Sequence, residues 1–134
     1  MIRKDYIQRY FDELAKVLAA VLQLKNDLKP TEAETKLNDF STDYLCISFD
    51  EILTHERENI IDYLTTKKEF TITHFKLLED LLFHKHLINP SNIKLQKLTL
   101  EILKHCTKHD KDYSFERTER IEELTNNSLS EGED

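Results

Sequence analysis

Between His105 and Asp112 the chain gathers side chains from which metal and thiol sites are built. His105, Cys106, His109, Asp110 and Asp112 all fall within KHCTKHDKDYSFER (Lys104–Arg117). Three explanations are open. His105 and His109 stand four apart, the helical spacing at which two imidazoles fill two positions of a zinc ion. Cys106 beside a histidine suggests a thiolate nucleophile with an imidazole base. The third is that one helix stops here and the next begins.

Helical geometry separates these side chains. At about 100° per residue, Leu95, Leu98, Thr99, Ile102, Leu103 and Cys106 share one side, and His105 lies at its edge. Adjacent residues do not face each other, so Cys106 and His105 make no nucleophile–base pair. Glu101 extends the His105–His109 row, but it lies about 12 Å from His109 along the axis, beyond a shared ion. No matching His or Cys pair elsewhere completes the set. Lys104, His105, Lys108 and His109 then read as positive groups favoured at a helix C-terminus. No metal or cofactor is expected, and His105 and His109 stay as the metal candidates. They carry the alternative function, a metal- or ligand-binding regulatory protein.

Other constellations fail on spacing. In HKH (His84–His86) the two rings point to nearly opposite sides of a helix. HEREN (His55–Asn59) is half of a zinc-protease helix, with Asn59 where the second ligand belongs. No Glu-x-x-His occurs, against a di-metal bundle. The adjacent carboxylates Asp50–Glu51 and Glu79–Asp80 read as solvated positions. No catalytic set remains, and no enzyme is expected.

Composition points to helices. One Gly and two Pro in 134 residues leave little material for hairpins or phosphate loops. Net charge is −7, with Lys and Arg interleaved among Glu and Asp, so no nucleic-acid binding is expected. Cys46 and Cys106 sit among apolar residues and read as reduced thiols of a cytoplasmic protein. No secretory leader is expected, and the longest apolar run, Val17–Leu24, is too short for a membrane span.

Six helices are predicted. The first, about Ile2–Lys25, carries Ile7, Tyr10, Leu14, Val17, Val21 and Leu24 as a 3-4 stripe, widened by Tyr6, Phe11, Leu18 and Leu22. A stripe this wide serves several helices of its own chain, or also a homodimer seam through Tyr6, Tyr10 and Val17. Thr31–Glu34 (TEAE) and Ser48–Glu51 (SFDE) have the capping-box form. They should open a second helix, to Asp43 or Leu45, and a third, Phe49–Thr65, with a polar middle. Phe70 and Ile72 give Lys67–Thr73 an extended look. Thr73 should cap a fourth helix to Leu87, apolar nearly all round and so the most buried. Pro90 should lie in the first turn of a fifth, ending near Lys108.

Ser114 should cap the sixth, Phe115–Leu124, with Tyr113 and Phe115 as apolar anchors. Phe115, Ile121 and Leu124 should close the end of the fourth–fifth pair. Tyr113, Phe115 and Arg117 form the candidate surface for gripping a protein partner. Residues 1–125 make one domain, and the acidic tail 126–134 should lack order.

Helices of about 15 residues with short links suggest antiparallel pairs in a tetratricopeptide-like array. KDYIQRYFDELAKVLAAVLQLK (Lys4–Lys25) and DYSFERTERIEEL (Asp112–Leu124) resemble the two ends of short, uncharacterised bacterial all-helical proteins. The resemblance implies an all-α, tetratricopeptide-like fold and a bacterial setting, and carries no activity. The expectation is an all-α, non-enzymatic helical scaffold that binds a protein partner or itself, with no membrane and no nucleic acid.

Overall fold

A computed structural model describes the backbone of residues 4–54 and 57–132 and the side chains of residues 8–54 and 60–126. Its elements are α1 (Lys4–Asn26), α2 (Pro30–Phe40), α3 (Phe49–Thr54), α4 (Arg57–Thr66), α5 (Ile72–Ile88), α6 (Ile93–His109) and α7 (Phe115–Gly132). The fold is all-α, as the composition requires.

Most of the described part of the α1 stripe packs on its own chain, while Leu22 is exposed and the side chains of Tyr6 and Ile7 lie outside the described residues. Leu14 and Val21 are buried, and Tyr10, Phe11, Val17, Leu18 and Leu24 lie half-buried on the same core. The helix packs on α2 and α5. It ends through Leu28, whose φ of 59° is left-handed. Lys29 N–H donates to Leu24 O (2.8 Å) and Leu28 N–H to Lys25 O (3.0 Å). This is the terminator normally built on glycine. Cys46 (φ 58°) and Glu69 (φ 55°) adopt the same conformation at the ends of their helices.

The expected start of α2 is corrected. Pro30 occupies the first turn of α2, and Thr31–Glu34 makes no capping box. Its carboxylate has better partners: Glu34 Oε1 lies 3.3 Å from Lys85 Nζ on α5 and accepts a hydrogen bond from Asn89. Ser48 does cap α3, its Oγ accepting Glu51 N–H at 3.1 Å, while the Glu51 carboxylate turns to Lys68 (3.2 Å) and Tyr63. From α2 the chain continues through a wider π-helical turn, Ser41–Leu45. There Tyr44 stacks on Phe40 and meets Tyr10 edge-on. The expected third helix spans α3 and α4, and its polar middle falls on residues 55 and 56, outside the described residues.

Helix α5 starts two residues early, at Ile72, with Thr71 in place of Thr73 as its N-cap. Thr71 N–H donates to His74 Nδ1 (3.0 Å), which takes the place of an acidic capping partner. No strand forms in Lys67–Thr73; Phe70 is buried instead. Phe75, Leu77, Leu78, Leu81, Leu82 and Phe83 are buried around α5, making it the central helix. Each such side chain contributes about 1.5–3 kcal/mol by leaving water. Helix α6 is capped by Asn92, whose Oδ1 accepts Leu95 N–H (3.0 Å), so Pro90 precedes the helix rather than opening it. Helix α7 runs past Leu124 to Gly132, through most of the segment expected to lack order. Among the described residues no helix is long and apolar enough to cross a membrane.

A non-glycine residue in the left-handed region costs about 1–2 kcal/mol. Leu28 is 86 % exposed, so its side chain returns little in packing. Leu28→Gly should therefore raise stability by about 0.5–1 kcal/mol, after the added freedom of glycine in the unfolded chain is subtracted. Thermal and urea unfolding of the variant check this.

Candidate interaction surface at the α6–α7 junction

Asp110 ends α6, and its two carboxylate oxygens organise the link. Oδ1 accepts Asp112 N–H (3.2 Å), closing a local turn. Oδ2 lies 3.2 Å from Arg117 Nη2 and 3.6 Å from Lys76 Nζ. Burial acts to raise the Asp110 carboxyl, but the Asp112 N–H, then Lys76 and Arg117, together hold it below the usual aspartate range. Ser114 then starts α7 as expected, with its Oγ accepting Arg117 N–H (3.2 Å).

Arg117 is the correction that matters most. Expected on a partner-gripping surface, it is 4 % exposed. Its Nε and Nη2 each reach the Glu79 carboxylate at 2.8 Å, a bidentate pair buried between α7 and α5. Three residues on, Arg120 Nη1 lies 2.5 Å from Asp80 Oδ1. Its guanidinium also sits 4.4 Å from the Phe83 ring centre and pairs with Glu116. Glu79 and Asp80, read as solvated from their adjacency, are thus the two anchors of α7 on α5. Adjacent residues on one helix point about 100° apart, and Arg117 and Arg120 come at them from separate positions on α7.

The reactive cluster divides as helical geometry requires. Cys106 is fully buried, and burial, then Glu79, pushes its thiol far up, so it stays protonated. The His105 ring packs 4.4 Å from Phe75 and 4.4 Å from the exposed His109. Burial lowers the His105 pKa, and His109 and Lys108 lower it further. Among the described residues no group of three or more His, Cys, Asp and Glu is placed to hold a metal ion. His86, expected partly exposed, is buried, while Cys46, expected among apolar side chains, is exposed.

What the junction presents outward is aromatic. Tyr113 is 78 % and Phe115 is 65 % exposed. Neither closes the end of the helix pair; Ile121 and Leu124 do so with Phe83, Leu87, Leu100 and Leu103. Tyr113 stands between two shallow clefts of about 280 and 260 Å³. The larger also includes Phe11 of α1, Lys76 and Glu116. Of the other expected interaction residues, Tyr10 and Val17 are packed on their own chain's core. Tyr6 lies outside the described side chains. No protein-family model, curated protein or solved structure matches the chain.

The buried anchors were missed because the two partners lie 38 residues apart in sequence. The signal present was a pair of arginines three apart and a pair of acids on an otherwise apolar helix. Removing one member leaves the other buried and unpaired. Arg117→Ala should destabilise the protein by about 3–5 kcal/mol, whereas Glu79→Leu with Arg117→Met should cost far less. Urea titrations of the single and double variants compare them.

His84 is half-buried, and burial, then Arg120 and Lys25, lowers its pKa to about 4. His74 and His105 are lowered as well, chiefly by burial. The folded state then binds fewer protons than the unfolded one between pH 6.5 and about 4. Stability contributed by the neutral rings is present above pH 6.5 and falls as pH drops through that window. His84→Gln should flatten the decline, measured as denaturation midpoint against pH.

Proposed function

We propose that the protein is a non-enzymatic helical scaffold that binds a protein partner or itself. The observation that carries this reading is the Tyr113–Phe115 pair, held open to solvent by a junction whose backbone is fixed from beneath. The Asp110 turn, the Ser114 cap and the buried Arg117–Glu79 pair together set the direction in which the aromatic side chains stand. Exposed aromatic residues on an ordered backbone lose little freedom on binding and supply large contact area, which is why they recur as interface anchors. The charged rim of Lys76, Asp112 and Glu116 around the larger cleft fits the same role.

The protonated, buried Cys106 supports a packing role for that thiol. The paired 17-residue helices α5 and α6 support a tetratricopeptide-like arrangement. A cytoplasmic, bacterial setting belongs to the same proposal. It rests on the unpaired cysteines and on the resemblance of Lys4–Lys25 and Asp112–Leu124.

The test is a comparison of the wild-type chain with Tyr113→Ala/Phe115→Ala as bait in affinity capture, with circular dichroism as the folding control. Partners retained by the wild type should be lost by the double variant at unchanged helix content. Identical captures from the two baits would remove Tyr113 and Phe115 as the interaction site.

A further inference from the structure

Helix α6 has a second patterned face besides the one it buries. Leu95, Thr99, Ile102 and Cys106 point into the core, and Leu103 meets Leu124 of α7. About 150° round the helix from that core face, Ile93, Lys97, Leu100, Lys104 and Thr107 follow one another at 4-3-4-3 spacing. They share an arc of about 80°. Lys97, Lys104 and Thr107 are exposed, Ile93 is 48 % exposed, and half-buried Leu100 forms the border with Ile121 of α7.

Such a row is the kind of seam that two helices share. Its apolar and charged members each recur at seven-residue intervals, Ile93 with Leu100 and Lys97 with Lys104. Lys94 and Lys108, both exposed, stand beside it, so that lysines run for about 21 Å along the axis. Half-buried Glu101 is the one acid in the sequence of α6. Lys97, Leu100, Glu101 and Lys104 together line a groove of about 270 Å³. Two turns beyond Leu100, Thr107 lines the cleft of about 260 Å³ that also contains Tyr113.

The charge of this face runs against that of the molecule. The chain carries −7 overall, yet the outer side of α6 sets Lys94, Lys97, Lys104 and Lys108 against Glu101 alone. We infer that α6 offers this seam to an acidic amphipathic helix of a partner protein. Leucines or isoleucines at seven-residue intervals on that helix cover Ile93 and Leu100, and the glutamates flanking them meet Lys97 and Lys104. The lysine stems add apolar cover to the same contact. The inference rests on the scaffold reading above and names the partner class for its protein-binding half.

A phosphate-bearing surface is the poorer match. Phosphates laid along the stripe also face Glu101, and they leave Leu100 without an apolar counterpart. An acidic partner is repelled at long range by a chain of net charge −7, so recognition must come from the local fit.

The test uses the full chain and a labelled synthetic peptide of about 15 residues, long enough to span the lysine stripe. It is built from alanine, leucine and glutamate, with leucines at seam spacing between glutamates. Binding is read by fluorescence anisotropy. The same composition in scrambled order, a DNA duplex and phosphatidylserine vesicles are titrated in parallel. The wild type should bind the patterned peptide in preference to all three. Lys97→Glu/Lys104→Glu should weaken that binding roughly tenfold or more at unchanged helix content. Lys29→Glu/Lys36→Glu makes the same change in net charge at exposed positions just before and on α2, and should leave binding as it was. If the α6 reversal disturbs folding, Lys97→Gln/Lys104→Gln should still weaken binding.

A patterned peptide that fails to bind the wild type at millimolar concentration overturns the inference. So does equal weakening by the two reversals, or a scrambled peptide, DNA duplex or vesicle that binds as tightly as the patterned peptide. If the peptide fails while partner capture still depends on Tyr113 and Phe115, the acidic-helix inference falls and the scaffold reading stands. If capture shows no such dependence either, both fall.

Discussion

The bidentate pair between Arg117 and Glu79 is the constraint on which the C-terminal third of the molecule depends. Both groups have left water almost completely, so each requires the other. The pair ties the first turn of α7 to the middle of α5, and Asp110 joins it from the end of α6. Three helices thereby share one guanidinium. With that point fixed, Arg120 falls above Phe83 and beside Asp80, and Leu124 reaches the apolar group around Leu103. A buried pair of this kind adds little stability over apolar replacements of equal shape. Its effect lies in direction, since a planar fork accepts a carboxylate in few orientations.

The same pair links the core to the surface. Arg117 draws α7 down at its first turn, and Ser114 caps that turn, so the residues on either side of the cap cannot also point inward. Tyr113 and Phe115 are left outside as the geometric counterpart of a buried arginine between them and the core. The reactive side chains that first draw the eye therefore serve the architecture. Cys106 fills space beneath the pair, and His105 covers Phe75.

Local signals in the sequence carried the helices. The 3-4 stripe of α1, the all-round apolar character of α5 and Ser114 before α7 each act within a few residues, where periodicity and capping are decisive. The mistakes lie where a side chain had a distant competitor for its partner. Glu34 left its expected cap for Lys85 and Asn89, and Thr73 yielded the N-cap to Thr71 because His74 could accept its N–H. Arg117 read as part of a partner-gripping surface with Tyr113 and Phe115, while Glu79 and Asp80 read as solvated because they are adjacent. Neither local pattern contains the other. Of the candidate surface, Tyr113 and Phe115 were legible by type and position. The buried framework that displays them required the packing of α7 on α5.

The apolar contacts of α7 form a small cluster of their own, Phe83, Leu103 and Leu124 with Leu87, Leu100 and Ile121, apart from the larger core around α5. That separation has a consequence for how the molecule breathes. A helix whose apolar contacts are not shared with the main core can detach as a cooperative unit while the remainder stays folded. Its opening free energy is then set by one six-residue cluster and two arginine anchors. Amide protons of α7 would exchange with solvent through this partial opening, on a faster clock than those of α5, which wait for the whole domain to unfold.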